Sequence, residues 1–178
     1  MIDNDIGIDL PQEKYSTENH TDGWNRYPIF RYHAQLAMIE SRIYSEIYSI
    51  QAQSRSTSER LRSVCQLDKA LTEWKAALPI EIRPENAIYC AQEQFLPVAT
   101  LHYAYFNCLM TVHRAPIYHG TGTSRHLSQS ASTLRDQSLN PQIYTSQSVC
   151  LAAARNSIKL LHSLPNGVVW LVSAFHAH

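Results

Sequence analysis

Nine histidines, four cysteines and fifteen acidic side chains give this 178-residue chain the raw material of metal and acid–base chemistry. Their spacing decides what that material can do. His113 and His119 stand six residues apart, His102 lies inside an apolar stretch, and His176 and His178 close the sequence. None belongs to an H-E-x-x-H pattern, which would set two imidazoles on one helix face over a metal. Isolated histidines on helices are usually satisfied core or surface groups, and the closing pair would hold a metal only adventitiously. Cys65, Cys90, Cys108 and Cys150 offer no C-x-x-C pair for zinc or redox work. No G-x-S-x-G elbow is present, and no cysteine has a local nucleophile signature. GTGTS at Gly120–Ser124 starts like a phosphate loop. It lacks the third glycine and the Gly-Lys-Ser/Thr ending, and no strand pattern precedes it, so it reads as linker. Glu40 with Glu46, and Glu81 with Glu85, can be drawn as carboxylate pairs, yet read as ordinary solvated charges. No catalytic, metal-binding, cofactor-binding or DNA-contacting residue is therefore assigned, and no enzyme activity is expected.

Two softer features remain. Tyr32, Tyr44, Tyr48, Tyr103 and Tyr105 can line a ligand pocket between helices. The alternative is that they sit at the edge of the core with their hydroxyls in water, the commoner habit of tyrosine. The segment RHLS, Arg125–Ser128, is a phosphorylation candidate in a serine-rich stretch that generates such matches by chance.

The elements that must position these groups are helical. Leu36, Ile39, Ile43, Ile47 and Ile50 recur every three or four residues and predict one amphipathic helix face. Ser54–Ser58 breaks it, and Ser56 with Glu59 forms an S-x-x-E capping box that starts a second helix. That helix carries Leu61, Val64, Leu67, Leu71, Trp74 and Leu78 inward, so the two helices are expected to pack antiparallel. Pro79 ends the second helix and Pro84 delays the next. A third helix is expected over Phe95–His113, with Pro97 in its first turn. It is apolar nearly all round, hence buried among several partners, and Pro116 marks its end. A fourth helix, from about Thr145 to Leu164, turns Cys150, Ala153, Ala154, Ser157, Leu160, Leu161 and Leu164 inward. Pro165-Asn166-Gly167 breaks it, and VVWLVSAFHAH opens a further apolar helix. No fixed-period repeat and no strand alternation is found.

Composition agrees with a globular core: 44% of residues are hydrophobic and 17% charged, with zero formal net charge. Whole-chain charge therefore gives no reason to expect nucleic-acid binding. Residues 1–26 are acidic, with six acids (Asp3, Asp5, Asp9, Glu13, Glu18, Asp22) against Lys14 and Arg26. Cys65, Cys108 and Cys150 fall in helical apolar patterns, where a reduced thiol acts as a small hydrophobe, and this favours a reducing intracellular compartment. The start, MIDNDIGIDLP, lacks the charged-then-apolar order of a signal peptide, and no apolar run reaches membrane-spanning length.

Taken in order, five stretches resemble the fungal-specific transcription factor domain, the middle regulatory region of fungal zinc binuclear cluster transcription factors, similar to the xylanolytic activator regulatory domain. They are IDNDIGIDLP, FRYHAQLAMIESRIYSEIYS, LTEWKAALP followed by IRP, FLPVATLHYAYFNCLMTVHRAPI, and SVCLAAARNSIKLL. Ala115 separates Arg114 from Pro116, where many members run Arg-Pro directly.

The resemblance implies an all-α fold, a multi-helix bundle or array forming an incomplete domain. Residues 1–26, polar and proline-interrupted, read as an acidic irregular leader, and a stretch rich in Ser, Thr, Gly and Gln reads as a flexible loop at about 117–142. The resemblance makes residues 27–178 a helical regulatory domain truncated at both ends. It implies a nuclear protein that modulates RNA polymerase II transcription without contacting DNA through this region. DNA contact and zinc belong to an upstream binuclear cluster, which Cys65, Cys90, Cys108 and Cys150 cannot make. Transcriptional co-regulators, a metabolite effector and a second copy of the chain are the partners it implies, and no membrane. The alternative is a stand-alone helical small-molecule-binding module or a protein-interaction scaffold.

Overall fold

The computed structural model describes residues 27–122 and 141–164, with side chains over 27–115 and 144–164. These residues are all-α, without a strand among them. In chain order they form α1 (Ile29–Ile43), a π-helical turn (Tyr44–Tyr48), the short α2 (Ile50–Gln53), α3 (Thr57–Ala77), a 3₁₀ turn (Ile80–Ile82), α4 (Gln92–Gly122) and α5 (Pro141–Ser163). The acidic leader, the RHLS segment and the apolar stretch after Leu164 lie outside the described residues.

The start of α3 follows the expected chemistry. Ser56 Oγ accepts from the Glu59 backbone N–H, and Glu59 Oε2 accepts from the Ser56 N–H, at 3.3 and 2.9 Å. Two of the orphan donors of a helix N-terminus are thereby satisfied. The other end is equally defined. Leu78 is extended (φ −72°, ψ 147°), as the following proline requires. Arg83 reaches back to donate to the carbonyls of Leu78 and Ala76, at 2.8 and 2.7 Å. A cation thus meets the negative end of the helix dipole and closes carbonyls the helix leaves open.

Cross-helix contacts set the directions. His33 Nε2 donates to the Pro97 carbonyl and the Tyr48 hydroxyl to the Thr111 carbonyl, so α1 and its π turn run parallel to α4. Asp68 meets His113 while Trp74 meets Tyr105, so α3 runs antiparallel to α4. Ser146 meets His113 and Cys150 meets Met110, so α5 is antiparallel to α4 as well. The long α4 packs on α1, α3 and α5 and is the centre of the bundle. Leu101, Tyr105, Phe106 and Val112 are buried on it, facing Leu67 and Leu71 of α3 and Ala153 and Leu160 of α5. Each large apolar side chain so buried contributes about 1.5–3 kcal/mol.

Trp74 is the last ring of the α3 stripe and stacks on Tyr105, centroids 5.7 Å apart at 21°. Its indole N–H has no acceptor among the described residues. The omission costs about 1–3 kcal/mol, set against the area the ring buries.

Several expectations need correction. Pro116 does not end the third helix: α4 continues to Gly122 and begins three residues earlier than expected, at Gln92. A proline removes one i→i−4 hydrogen bond but keeps a helical φ, and a well-packed helix absorbs that loss. The backbone is thus helical at both margins of the loop placed at 117–142, and residues 123–140 lie outside the described part. Ile50 does not extend the α1 stripe and is 88% exposed. Ser49 is extended (ψ 156°) and caps a new short helix, so the register of Ile43 and Ile47 stops there. Cys65 is exposed, while Cys108 is buried and Cys150 half-buried. Tyr105 is buried outright, unlike the half-buried Tyr32, Tyr48 and Tyr103 and the exposed Tyr44.

Candidate functional site: a cleft between the post-proline loop, α4 and α5

Pro79 and Pro84 hold the chain away from α3 long enough for a loop to cross the end of the α4–α5 pair. There a cleft of about 390 Å³ opens. Glu85, Asn86, Ala87 and Ile88 form its loop wall, Phe95, His102 and Phe106 its α4 wall, and Asn156, Lys159, Leu160 and Ser163 its α5 wall. The α5 residues share one face through i, i+3, i+4 and i+7 spacing.

The loop wall is held by specific bonds. Asn86 donates through its side-chain amide to the Ile80 carbonyl and through its backbone N–H to the Arg83 carbonyl, at 3.0 and 3.2 Å. Glu85 is left-handed at φ 82°. A non-glycine residue there costs roughly 1–2 kcal/mol and marks a position over-determined by its surroundings. Lys75, whose ammonium also lies 5.7 Å from the Tyr105 ring centroid, pairs with the Glu85 carboxylate at 3.0 Å.

His102 is 2% exposed and donates from Nε2 to the Ile82 carbonyl at 2.8 Å. A carbonyl can only accept, so Nε2 carries the proton and a neutral ring keeps Nδ1 as an acceptor. Burial pushes its pKa below the ordinary 6.5, only partly opposed by the bond to Ile82. Asn156 and Lys159 make no side-chain hydrogen bond or ion pair with another described residue. With Glu85 neutralised by Lys75, Lys159 is the unbalanced charge on the cleft wall.

A second polar cluster lies where α3, α4 and α5 meet, with His113 and Ser146 buried and Asp68 half-buried. His113 Nε2 donates to Asp68 Oδ1 at 3.0 Å, and its Nδ1 lies 3.3 Å from Ser146 Oγ. The hydrogen bond from His113 holds the Asp68 carboxyl below its usual range, against burial acting the other way. The three residue types are those of a hydrolytic triad with the ring reversed: there the carboxylate binds Nδ1 and the hydroxyl Nε2. Ser146 is also 2% exposed, so no substrate reaches its oxygen. The cluster is a tie between three helices.

Of the residues weighed from sequence, His102 lies on the cleft and His113 in the tie, whereas the side chains of His119 and Gly120–Gly122 are not described. Glu40 and Glu46 stay on the α1 side, and Arg42 bonds Glu46 at 3.0 Å. Glu81 and Glu85 do not converge as an acid pair, because Glu85 goes to Lys75. None of the five tyrosines lines this cleft: Tyr48 bonds α4 and Tyr105 packs under Trp74. Sequence reasoning missed Asp68, Ser146, Asn156 and Lys159. Ser146 was readable, since it continues the inward stripe of Cys150, Ala153, Ser157 and Leu160 by one turn. Asn156 and Lys159 carry no signal of their own until a neighbouring loop walls them in.

Among the described residues no helix is long and apolar enough to cross a membrane. Comparison with known proteins places the chain beside regulators of transcription. Two proteins named ABC-transporter-regulating transcription factor, from Aspergillus oryzae and Aspergillus fumigatus, are each 36% identical across 96% of this chain. An uncharacterized transcriptional regulatory protein of Schizosaccharomyces pombe is 24% identical across 71% of it. The chain spans 20% of the length of each Aspergillus relative and 15% of the third. No family model matches the chain. No solved structure matches it either.

Proposed function

We propose that this chain is a regulatory region of a fungal transcription factor, acting in the nucleus to modulate transcription by RNA polymerase II without itself contacting DNA. One observation carries the reading: 36% identity, across 96% of the chain, to two transcription factors from Aspergillus species. The five ordered stretches that resemble the fungal-specific transcription factor domain support the finer assignment to its regulatory middle region. The zero net charge fits a region that leaves DNA to another module. Those relatives are named for regulating ABC transporters, and we take transporter genes as the target class to test first.

The experiment is a two-armed reporter assay in a fungal host. Tethered to an unrelated DNA-binding module, residues 1–178 change output from that module's sites. Expressed untethered, they leave the same reporter unchanged. A tethered chain that is helical by circular dichroism yet inert overturns the regulatory reading, and an active untethered chain overturns the absence of DNA contact.

A further inference from the structure

The structure leaves two unpaired hydrogen-bond donors, the half-buried Asn156 and the exposed Lys159, on one wall of a cleft lined by polar and apolar residues alike. Asn156 and Lys159 stand one helical turn apart on α5, with no partner among the described residues. The half-buried Phe95 and Ile88 supply the open apolar surface of the cleft, whereas Phe106 and Leu160 behind it are already covered by the core. The volume of about 390 Å³ lies within the range of small-molecule sites.

Charge sets the sign of the ligand. Glu85, the single carboxylate on the wall, is already paired with Lys75. His102 lends no positive charge while its Nε2 proton is held by the Ile82 carbonyl and its ring stays neutral. The surplus is therefore one ammonium, Lys159, with the Asn156 amide beside it as a second donor. An anion with two acceptor oxygens answers both, and a carboxylate can accept from each. A bare inorganic ion would leave Phe95 and Ile88 wet, whereas an acid carrying an apolar or aromatic body would cover them.

We infer that this cleft binds a small organic acid, its carboxylate on Lys159 and Asn156 and its apolar body against Phe95 and Ile88. The loop at Glu85 and Asn86, tied to Lys75, Ile80 and Arg83, forms the opposite wall, which limits the reorganisation that binding requires. The inference goes beyond the transcriptional reading and is tested on the isolated chain, so its outcome is separate from that of the reporter assay.

The probe is 4-phenylbutyrate, titrated into the ¹⁵N-labelled 178-residue chain, with 4-phenylbutan-1-ol as the uncharged control. Saturable binding is expected, shifting the Asn156 side-chain amide and the His102 backbone resonance, with the alcohol failing to saturate. Lys159→Met should weaken the acid about tenfold, the order expected for loss of a charge-assisted contact. Lys159 is exposed, so this variant keeps the fold. A second variant, Lys159→Arg, should retain binding. Absence of saturable binding, equal affinity for acid and alcohol, shifts confined to residues away from the cleft, or unchanged affinity in Lys159→Met would each overturn the inference.

Discussion

Burial makes His102 a titrating group with a defined direction. Its folded-state pKa is depressed below the ordinary 6.5, with desolvation the largest cause. Above 6.5 the ring is neutral in both states and its contribution is fully present. As pH falls below that value the unfolded chain takes up a proton that the folded ring resists, and stability drops until the folded value is reached. The melting temperature should therefore fall on acidification from about pH 7 to pH 5, and fall less in His102→Gln. Equal slopes for the two proteins would show that another group carries the effect. Asp68 acts in the same direction only further down, below its ordinary 3.8, so the two windows separate. At this scale much was hidden from sequence. Tyr105 has the same residue type as the exposed Tyr44, and tertiary neighbours, the Trp74 ring laid over it among them, make one core and leave the other at the surface. The reversed Asp68–His113–Ser146 contact joins residues 33 and 45 positions apart, and no local pattern encodes it.

At the scale of elements, local chemistry was the better guide. The Ser56–Glu59 capping box was legible because both halves lie within four residues and answer one need, the open N–H groups of a helix start. Ser56→Ala should lower stability by about 1 kcal/mol, read from denaturant unfolding. A loss below a few tenths would mean that water replaces the cap at no penalty. The stripes of α3 and α5 were legible for the same reason, a period of 3.6 repeated over several turns. The end of α4 was not. Pro116 is a stop signal only when nothing rewards continuation, and Val112 and Ala115, buried just before it, keep the helix packed on its neighbours. Nor was the break at Ser49, where Ile50 continued the arithmetic of the stripe while the backbone turned out of the helix.

The whole molecule is organised around one helix, and that predicts an uneven map of tolerance. Leu151 and Ile158 are each 56% exposed on the outer face of α5, whereas Leu67 and Leu71 are sealed between α3 and α4. Leu151→Lys or Ile158→Lys should change stability by no more than about 0.5 kcal/mol. Leu67→Ala should cost about 2–5 kcal/mol. Thermal melts of the three variants check this, and a large loss at Ile158 would place that side chain against something other than water. The all-α class was readable because every periodic segment ran at helical spacing. The cleft was not, since it forms where a loop, the early turns of α4 and the last turns of α5 meet, and no one of these segments contains it.

The continuous run of α4 has a mechanical side. Its 31 residues make a rod of about 46 Å, and about 30 Å separate His102 on the cleft from the end at Gly122. A tilt of about 3° pivoting at the cleft sweeps that end through about 1.6 Å, by the geometry of a lever with that rise per residue. Pro116, lacking the N–H that would brace its turn, is where such a rod bends most readily. The same residue that failed to stop the helix thus stands just past Ala115, the last buried side chain described on this rod.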